Sequence, residues 1–208
     1  RMPAEWSSHQ ATWISWPHNA DTWPGHLPGV ERTMAEAVGA LASSELVRIN
    51  VRDAAHGYHV QKLLAGRVPP ERVVLHQFPT NDAWCRDHGA IFVTRDAADG
   101  APLLALDFEY NAWGGKYPPY DLDNAIPGRM AGALGIPVQH IPMVLEGGSI
   151  EVNGKGVLLT TEQCLLNENR NPALDKATIE ARLKGFFGVE QVIWLGDGIV
   201  GDDTDGHI

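Results

Sequence analysis

Cationic side chains are scarce: 16 Lys and Arg stand against 26 Asp and Glu in 208 residues, a formal net charge of −10. A chain this acidic lacks the basic face that a phosphate backbone requires, which argues against a nucleic-acid partner and, beside specific carboxylates, favours a small cationic ligand. Cysteine is also scarce. Cys85 and Cys164 are too few for a disulfide framework, there is no Asn-x-Ser/Thr acceptor, and Arg1-Met2-Pro3 opens no apolar signal-peptide core, so the cytoplasm is the default compartment. No apolar run is long enough to span a bilayer, which gives no membrane role. With 44% hydrophobic and 20% charged residues the chain reads as soluble and globular, and at this length about 70% of the unfolded surface can be buried.

What is present is a rhythm. Asp87, Glu146 and His207 recur at intervals of 59 and 61 residues, each in a polar or Gly-rich stretch; Ala90-Ile91-Phe92-Val93 follows the first and Ser149-Ile150-Glu151-Val152 the second. Between Asp87 and Glu146 the pattern gives strands at 90–95 and 103–108, a helix at 123–134 and a strand at 138–143. After Glu146 it gives strands at 149–152 and 156–161 joined by Asn153-Gly154 as a hairpin turn, a helix at 173–184 and a strand at 189–195. The N-terminal stretch, with strands at 11–16, 46–51 and 72–78 and helices at 30–43 and 58–65, reads as the same unit elaborated. Repeats at roughly 1–87, 88–146 and 147–207, arranged about an axis, would turn equivalent positions toward one another and bring two acids and a histidine into one pocket. The competing reading is an ordinary α/β domain in which the equal spacing is accidental.

Several residues have plain readings. In Asn81-Asp82-Ala83-Trp84-Cys85-Arg86-Asp87-His88-Gly89, Trp84 could be core, Cys85 a small buried filler, and Arg86 and Asp87 an ion pair. Glu146 before Gly147-Gly148 could be a turn residue, although a glycine pair also permits close backbone approach to a ligand. His56 and His59, three residues apart without a Glu-x-x-His context, read as a surface pair and not as metal ligands. Gly196-Asp197-Gly198-Ile199-Val200-Gly201 matches a dinucleotide fingerprint formally, but Asp202-Asp203 would repel a pyrophosphate. Asp203-x-Asp205-Gly206 has part of a calcium loop and lacks its closing glutamate. No metal is expected.

The motifs together resemble a known family. Met2-Pro3-Ala4-Glu5-Trp6, Trp13-Ile14-Ser15-Trp16-Pro17, Thr22-Trp23-Pro24-Gly25, Trp84-Cys85-Arg86-Asp87, Asn111-Ala112-Trp113-Gly114-Gly115-Lys116-Tyr117, Leu145-Glu146-Gly147-Gly148, the run from Cys164 to Pro172, and Asp203-Thr204-Asp205-Gly206-His207 are similar, in order and from end to end, to the agmatine deiminases among the guanidine-modifying enzymes. Bacterial-type peptidylarginine deiminases share fewer of these stretches.

The resemblance implies an α/β propeller of ββαβ repeats, five-bladed in the family with about three blades here, and a chain that forms the N-terminal part of one catalytic domain. It implies that His207-Ile208 stands inside the family's H-x-D/E motif, so that a second guanidinium-gripping carboxylate and the nucleophilic cysteine are expected beyond Ile208. It further implies hydrolytic deimination of agmatine through a covalent cysteine intermediate with no cofactor. Asp87 would grip the guanidinium, His207 would act as acid and then base, and Glu146 would orient His207 and keep it protonated. Trp84 and Trp113 would wall the pocket, and Thr204 and Asp205 would lie over the substrate's tail. A peptidylarginine deiminase or amidinotransferase relative, and a truncated fragment that binds guanidines without turnover, are the alternatives. A homo-oligomer is left open.

Overall fold

The computed structural model describes residues 1–96 and 100–208, which divide into two compact units. One comprises residues 8–85 and 119–123. It carries β1 (Ala11–Ser15), α1 (Leu27–Leu41), β2 (Leu46–Val51), α2 (Ala54–Leu64) and β3 (Val73–Gln77), with the strands in the order β1-β2-β3. Pro28 lies in the first turn of α1, where its missing N–H has no helical partner to lose. Asp53 caps α2 by accepting the His56 N–H at 2.8 Å. Val47, Ile49 and Val51 alternate along β2 and bury one face with Ala35, Val38, Val60 and Leu64.

Two expectations change in this unit. Its three strands are all parallel, with α1 and α2 returning the chain between them, so the order of strands and helices read from the sequence holds but forms two strand-helix-strand crossovers and not an elaborated strand-strand-helix-strand repeat. His56 is buried, not on the surface: its Nδ1 accepts the Arg52 N–H at 3.1 Å, and burial pushes the imidazole down to about 4.

The other unit comprises Arg1–Ser7, Arg86–Pro118 and Asn124–Ile208. The helical turn α3 (Cys85–His88) leads into it, followed by β4 (Ile91–Thr94), β5 (Leu103–Glu109), the turn α4 (Ala112–Gly115), α5 (Asp121–Asn124), of which only Asn124 belongs to this unit, α6 (Ile126–Leu134) and β6 (Val138–Val144). Then come β7 (Ile150–Val152), β8 (Val157–Thr161), α7 (Glu162–Leu165), α8 (Lys176–Phe187) and β9 (Gln191–Leu195). In both sheets an antiparallel pair is followed by a helix and a third strand parallel to the second, giving β4-β5-β6 and β7-β8-β9. At the β7-β8 turn the Asn153 side-chain oxygen accepts the N–H groups of Lys155 and Val157 at 2.8 and 3.1 Å, which is why an Asn-Gly pair closes this hairpin. Asp175 caps α8, whose Ile179, Leu183 and Phe187 recur at four-residue spacing and are fully buried beside Phe108, Ile141 and Leu158. Among the described residues no helix is long and apolar enough to cross a membrane.

Candidate active site

Asp87 lies in α3, Glu146 is the second residue after β6, and His207 lies in the segment after β9. Gly148, in the tight turn after Glu146, joins two of them. Its N–H donates to Asp87 Oδ1 at 3.0 Å, its carbonyl accepts the Ile208 N–H at 3.3 Å, and His207 Nδ1 stands 3.8 Å from Asp87 Oδ1. A Cβ on Gly148 would sit 2.5 Å from both Asp87 Oδ1 and His207 Nδ1, and one on Gly147 would sit 2.1 Å from the Arg86 carbonyl oxygen. The glycine pair therefore lets backbone pass close to the site's own groups, where the sequence reading had it approach a ligand. Trp113 Nε1–H donates to Asp87 Oδ2 at 3.3 Å. Burial pushes the Asp87 carboxyl above its ordinary range, against the opposing pull of His207 and of these two uncharged donors. Arg86 takes other partners, the Glu5 carboxylate and the Gly147 carbonyl, so it does not form the local ion pair with Asp87.

Glu146 is fully buried, and its Oε1 accepts Arg170 Nε–H at 2.7 Å. Burial raises its pKa while Arg170 and His207 hold it back. Its Oε2 and His207 Nε2 are buried atoms with no hydrogen-bond partner among the described residues. Buried polar atoms are rarely left unpaired, so these two are the atoms able to exchange a hydrogen bond or a proton with a bound molecule. One ligand atom from each of Glu146, Cys164 and His207 falls within a set spanning at most 4.8 Å. That set does not suit a metal ion. Arg170 already binds the only carboxylate in it through Nε at 2.7 Å, which leaves a cation to compete with a buried guanidinium.

The remaining predicted residues divide. Trp113 stands with its neighbour Ala112 in left-handed backbone, at φ +56° and +52°; Asp205, at φ +65°, is the one other non-glycine residue among those described with a positive φ. Such conformations persist only where surrounding contacts impose them, and here they cluster around one site. A Cβ on Gly114 would come within 2.4 Å of the Asn169 side chain, so glycine at φ +89° is required for the Trp113 turn to pack there. Asp205 has both oxygens engaged: Oδ1 accepts from Lys116 Nζ at 2.7 Å, and Oδ2 from Arg170 Nη1 at 2.8 Å and Asn169 Nδ2 at 3.1 Å. These bonds outweigh burial and hold its carboxyl down at about 2. A substrate ammonium would have to displace one of those donors. Thr204 donates its hydroxyl to Asp202 at 2.6 Å and offers its carbonyl to Arg170 Nη2 at 2.9 Å. Trp84 belongs to the other compact unit, 5.6 Å from the Trp23 ring, centroid to centroid.

Sequence reasoning passed over Arg170, Asn169, Lys116 and Asp202. The run from Cys164 to Pro172 was visible as a motif, but an arginine among asparagines reads as a solvated loop. It is buried only because residues distant in sequence close over it. Asp202, whose Oδ2 accepts the N–H groups of Gly206 at 2.8 Å and His207 at 3.1 Å, was noted only as a repulsive charge.

The fold is that of the deiminases. The C. jejuni agmatine deiminase, as a cysteine-to-serine variant with substrate bound, matches with a TM-score of 0.87 at 35% identity, covering all of this chain and 59% of that one. The Enterococcus faecalis agmatine deiminase matches with a TM-score of 0.88 at 34% identity, over all of this chain and 56% of that one. In sequence, a Marinomonas sp. (strain MWYL1) protein named "Putative agmatine deiminase" is 39% identical across the whole chain and 55% of its own length. Residues 1–208 match the Porphyromonas-type peptidyl-arginine deiminase family, and the chain belongs to it. It spans a little over half the length of these relatives.

Proposed function

We propose that this chain supplies the acid and histidine half of an agmatine deiminase, converting agmatine and water to N-carbamoylputrescine and ammonia. The observation that carries the reading is the convergence of Asp87 and His207, 3.8 Å apart across Gly148, with the Glu146 side chain buried in the same unit. The ββαβ units are blades of an α/β propeller, which accounts for site residues recurring near equivalent points of successive repeats.

Asp87 receives the guanidinium. Burial makes the Asp87 charge costly, and a planar cation donating N–H groups offsets that cost, with the guanidinium plane fixed and its central carbon open. A cysteine thiolate outside these 208 residues attacks that carbon. The C–N bond then breaks as His207 passes a proton to the departing nitrogen, leaving an S-linked amidine and ammonia. Water, giving its proton back to His207, adds to the same carbon and expels the thiolate with the ureido product. Trp113 holds Asp87 in place through its indole N–H. Agmatine suits the acidic chain better than arginine because its far end is cationic. The test uses the full-length protein. We expect ammonia and N-carbamoylputrescine in equal amounts from agmatine and no product from peptidyl-arginine, and a kcat lowered on the order of 10²–10⁴-fold in His207→Asn. Product from peptidyl-arginine in preference to agmatine, or unchanged turnover in that variant, would overturn the reading.

A further inference from the structure

Arg170 has no exposed side-chain surface, and its donors reach two parts of the site at once. Nε–H bonds Glu146 Oε1 at 2.7 Å. Nη1 bonds Asp205 Oδ2 at 2.8 Å and Asn169 Oδ1 at 2.6 Å, and Nη2 bonds the Thr204 carbonyl at 2.9 Å. Glu146 belongs to the β6–β7 junction, whereas Thr204 and Asp205 belong to the segment that ends in His207. One rigid guanidinium therefore spans the connection between the carboxylate and the histidine. We propose that Arg170 is the positioning residue of this site: it sets the separation of Glu146 and His207 and keeps Glu146 present as an anion.

The planar fork explains why arginine stands here. An ammonium could neutralise Glu146 but could not direct bonds to Glu146, Asp205 and Thr204 in fixed relative directions. Neighbouring residues hold the fork in turn. Lys116 anchors the far oxygen of Asp205, and Asn171 clamps the end of β6 by accepting the Val144 N–H at 2.9 Å and donating to the Val144 carbonyl at 2.8 Å. Removing the guanidinium would leave a buried carboxylate without its cation, which is costly enough for the group to take up a proton instead. The charged and titratable groups facing Glu146 are Arg170, His207 and Cys164 of α7; Asp87 and Asp205 add negative charge to the same cluster. Arg170 is the cation among them that does not titrate at ordinary pH.

Only the kinetic arm of the test rests on the deiminase reading. In the full-length protein, the infrared carboxylic-acid band that disappears in Glu146→Gln reports protonation of Glu146 as pH is varied. In Arg170→Gln that band should persist to a pH higher by about one unit or more than in the wild type, as expected when an adjacent opposite charge is lost. In Arg170→Lys the titration should stay near that of the wild type. On agmatine, both variants should lose kcat by roughly 10²-fold per folded molecule with a smaller change in KM, because lysine restores charge without restoring geometry. Arg170→Gln added to Glu146→Gln should change the pH profile no further. A purely structural arginine would reduce the folded fraction and leave the titration and per-molecule kcat of the remainder unchanged, and that result overturns the proposal. If Arg170→Gln does not fold, Arg170→Lys decides, since wild-type kcat and KM in it would contradict the geometric role. Absent agmatine turnover with a shifted Glu146 titration would reject the deiminase reading and leave the Arg170 assignment standing.

Discussion

At Cys164 a thiol lies beside Glu146 in full burial, and burial pushes it up to about 12, so the thiol form prevails at neutral pH. We propose that a sulfur so placed packs and does not attack. Cys164→Ala in the full-length protein should keep agmatine turnover within about twofold of the wild type while lowering the free energy of unfolding by about 1 kcal/mol, measured by urea titration. Loss of turnover at unchanged stability would instead make this thiol part of the chemistry. Asp87, Glu146 and His207 could be picked out from the sequence because each sits in a short motif of unusual composition, and the structure gathers them into one unit. Arg170 and Asp202 could not. Their importance comes from who bonds them: Asp202 folds the last residues back by accepting the His207 N–H, a partner five positions away that no spacing rule singles out.

The second and third strand-strand-helix-strand units were legible because periodicity and an Asn-Gly turn act locally, and their element ends moved by only a few residues. In the first the order of strands and helices was equally legible, but its departure from the repeat was not, since whether a unit opens on an antiparallel hairpin or a parallel crossover depends on how a helix returns over a sheet. Asn81 and Asp123 form a lock that no local pattern marks. Asp123 Oδ1 accepts the N–H groups of Asn81 and Asp82 at 2.8 and 3.3 Å, while Asn81 Oδ1 accepts those of Leu122 and Asp123 at 2.8 and 3.2 Å. Burial pushes the Asp123 carboxyl up to about 7, with the nearby charges of Asp82 and Asp121 acting in the same direction. The folded state therefore binds more protons than the unfolded one between its unfolded value of 3.8 and about 7. The stability it contributes is present below that window and lost as pH rises through about 7, by at most on the order of 4 kcal/mol. Asp123→Asn keeps the accepting oxygen without the charge. Its thermal midpoint should exceed the wild type's at pH 8 and approach it near pH 4.5, and parallel pH dependences of the two proteins would contradict this account.

Across the whole molecule, the spacing of 59 and 61 residues carried more information than residue identity. It pointed to a repeated unit and to three side chains meeting, and the same unit recurs in two successive sheets. The acidic balance fits a cationic substrate, with Lys116 and Arg170 already committed to Asp205 and Glu146. The central claim is that Asp87, Glu146 and His207 serve a covalent step whose sulfur comes from neither Cys85 nor Cys164. The most direct measurement is mass spectrometry of the full-length protein acid-quenched during agmatine turnover. The account predicts a peptide heavier by agmatine less ammonia, at a cysteine outside these 208 residues; the same mass on Cys85 or Cys164, or rapid turnover with no adduct at any cysteine, would contradict it.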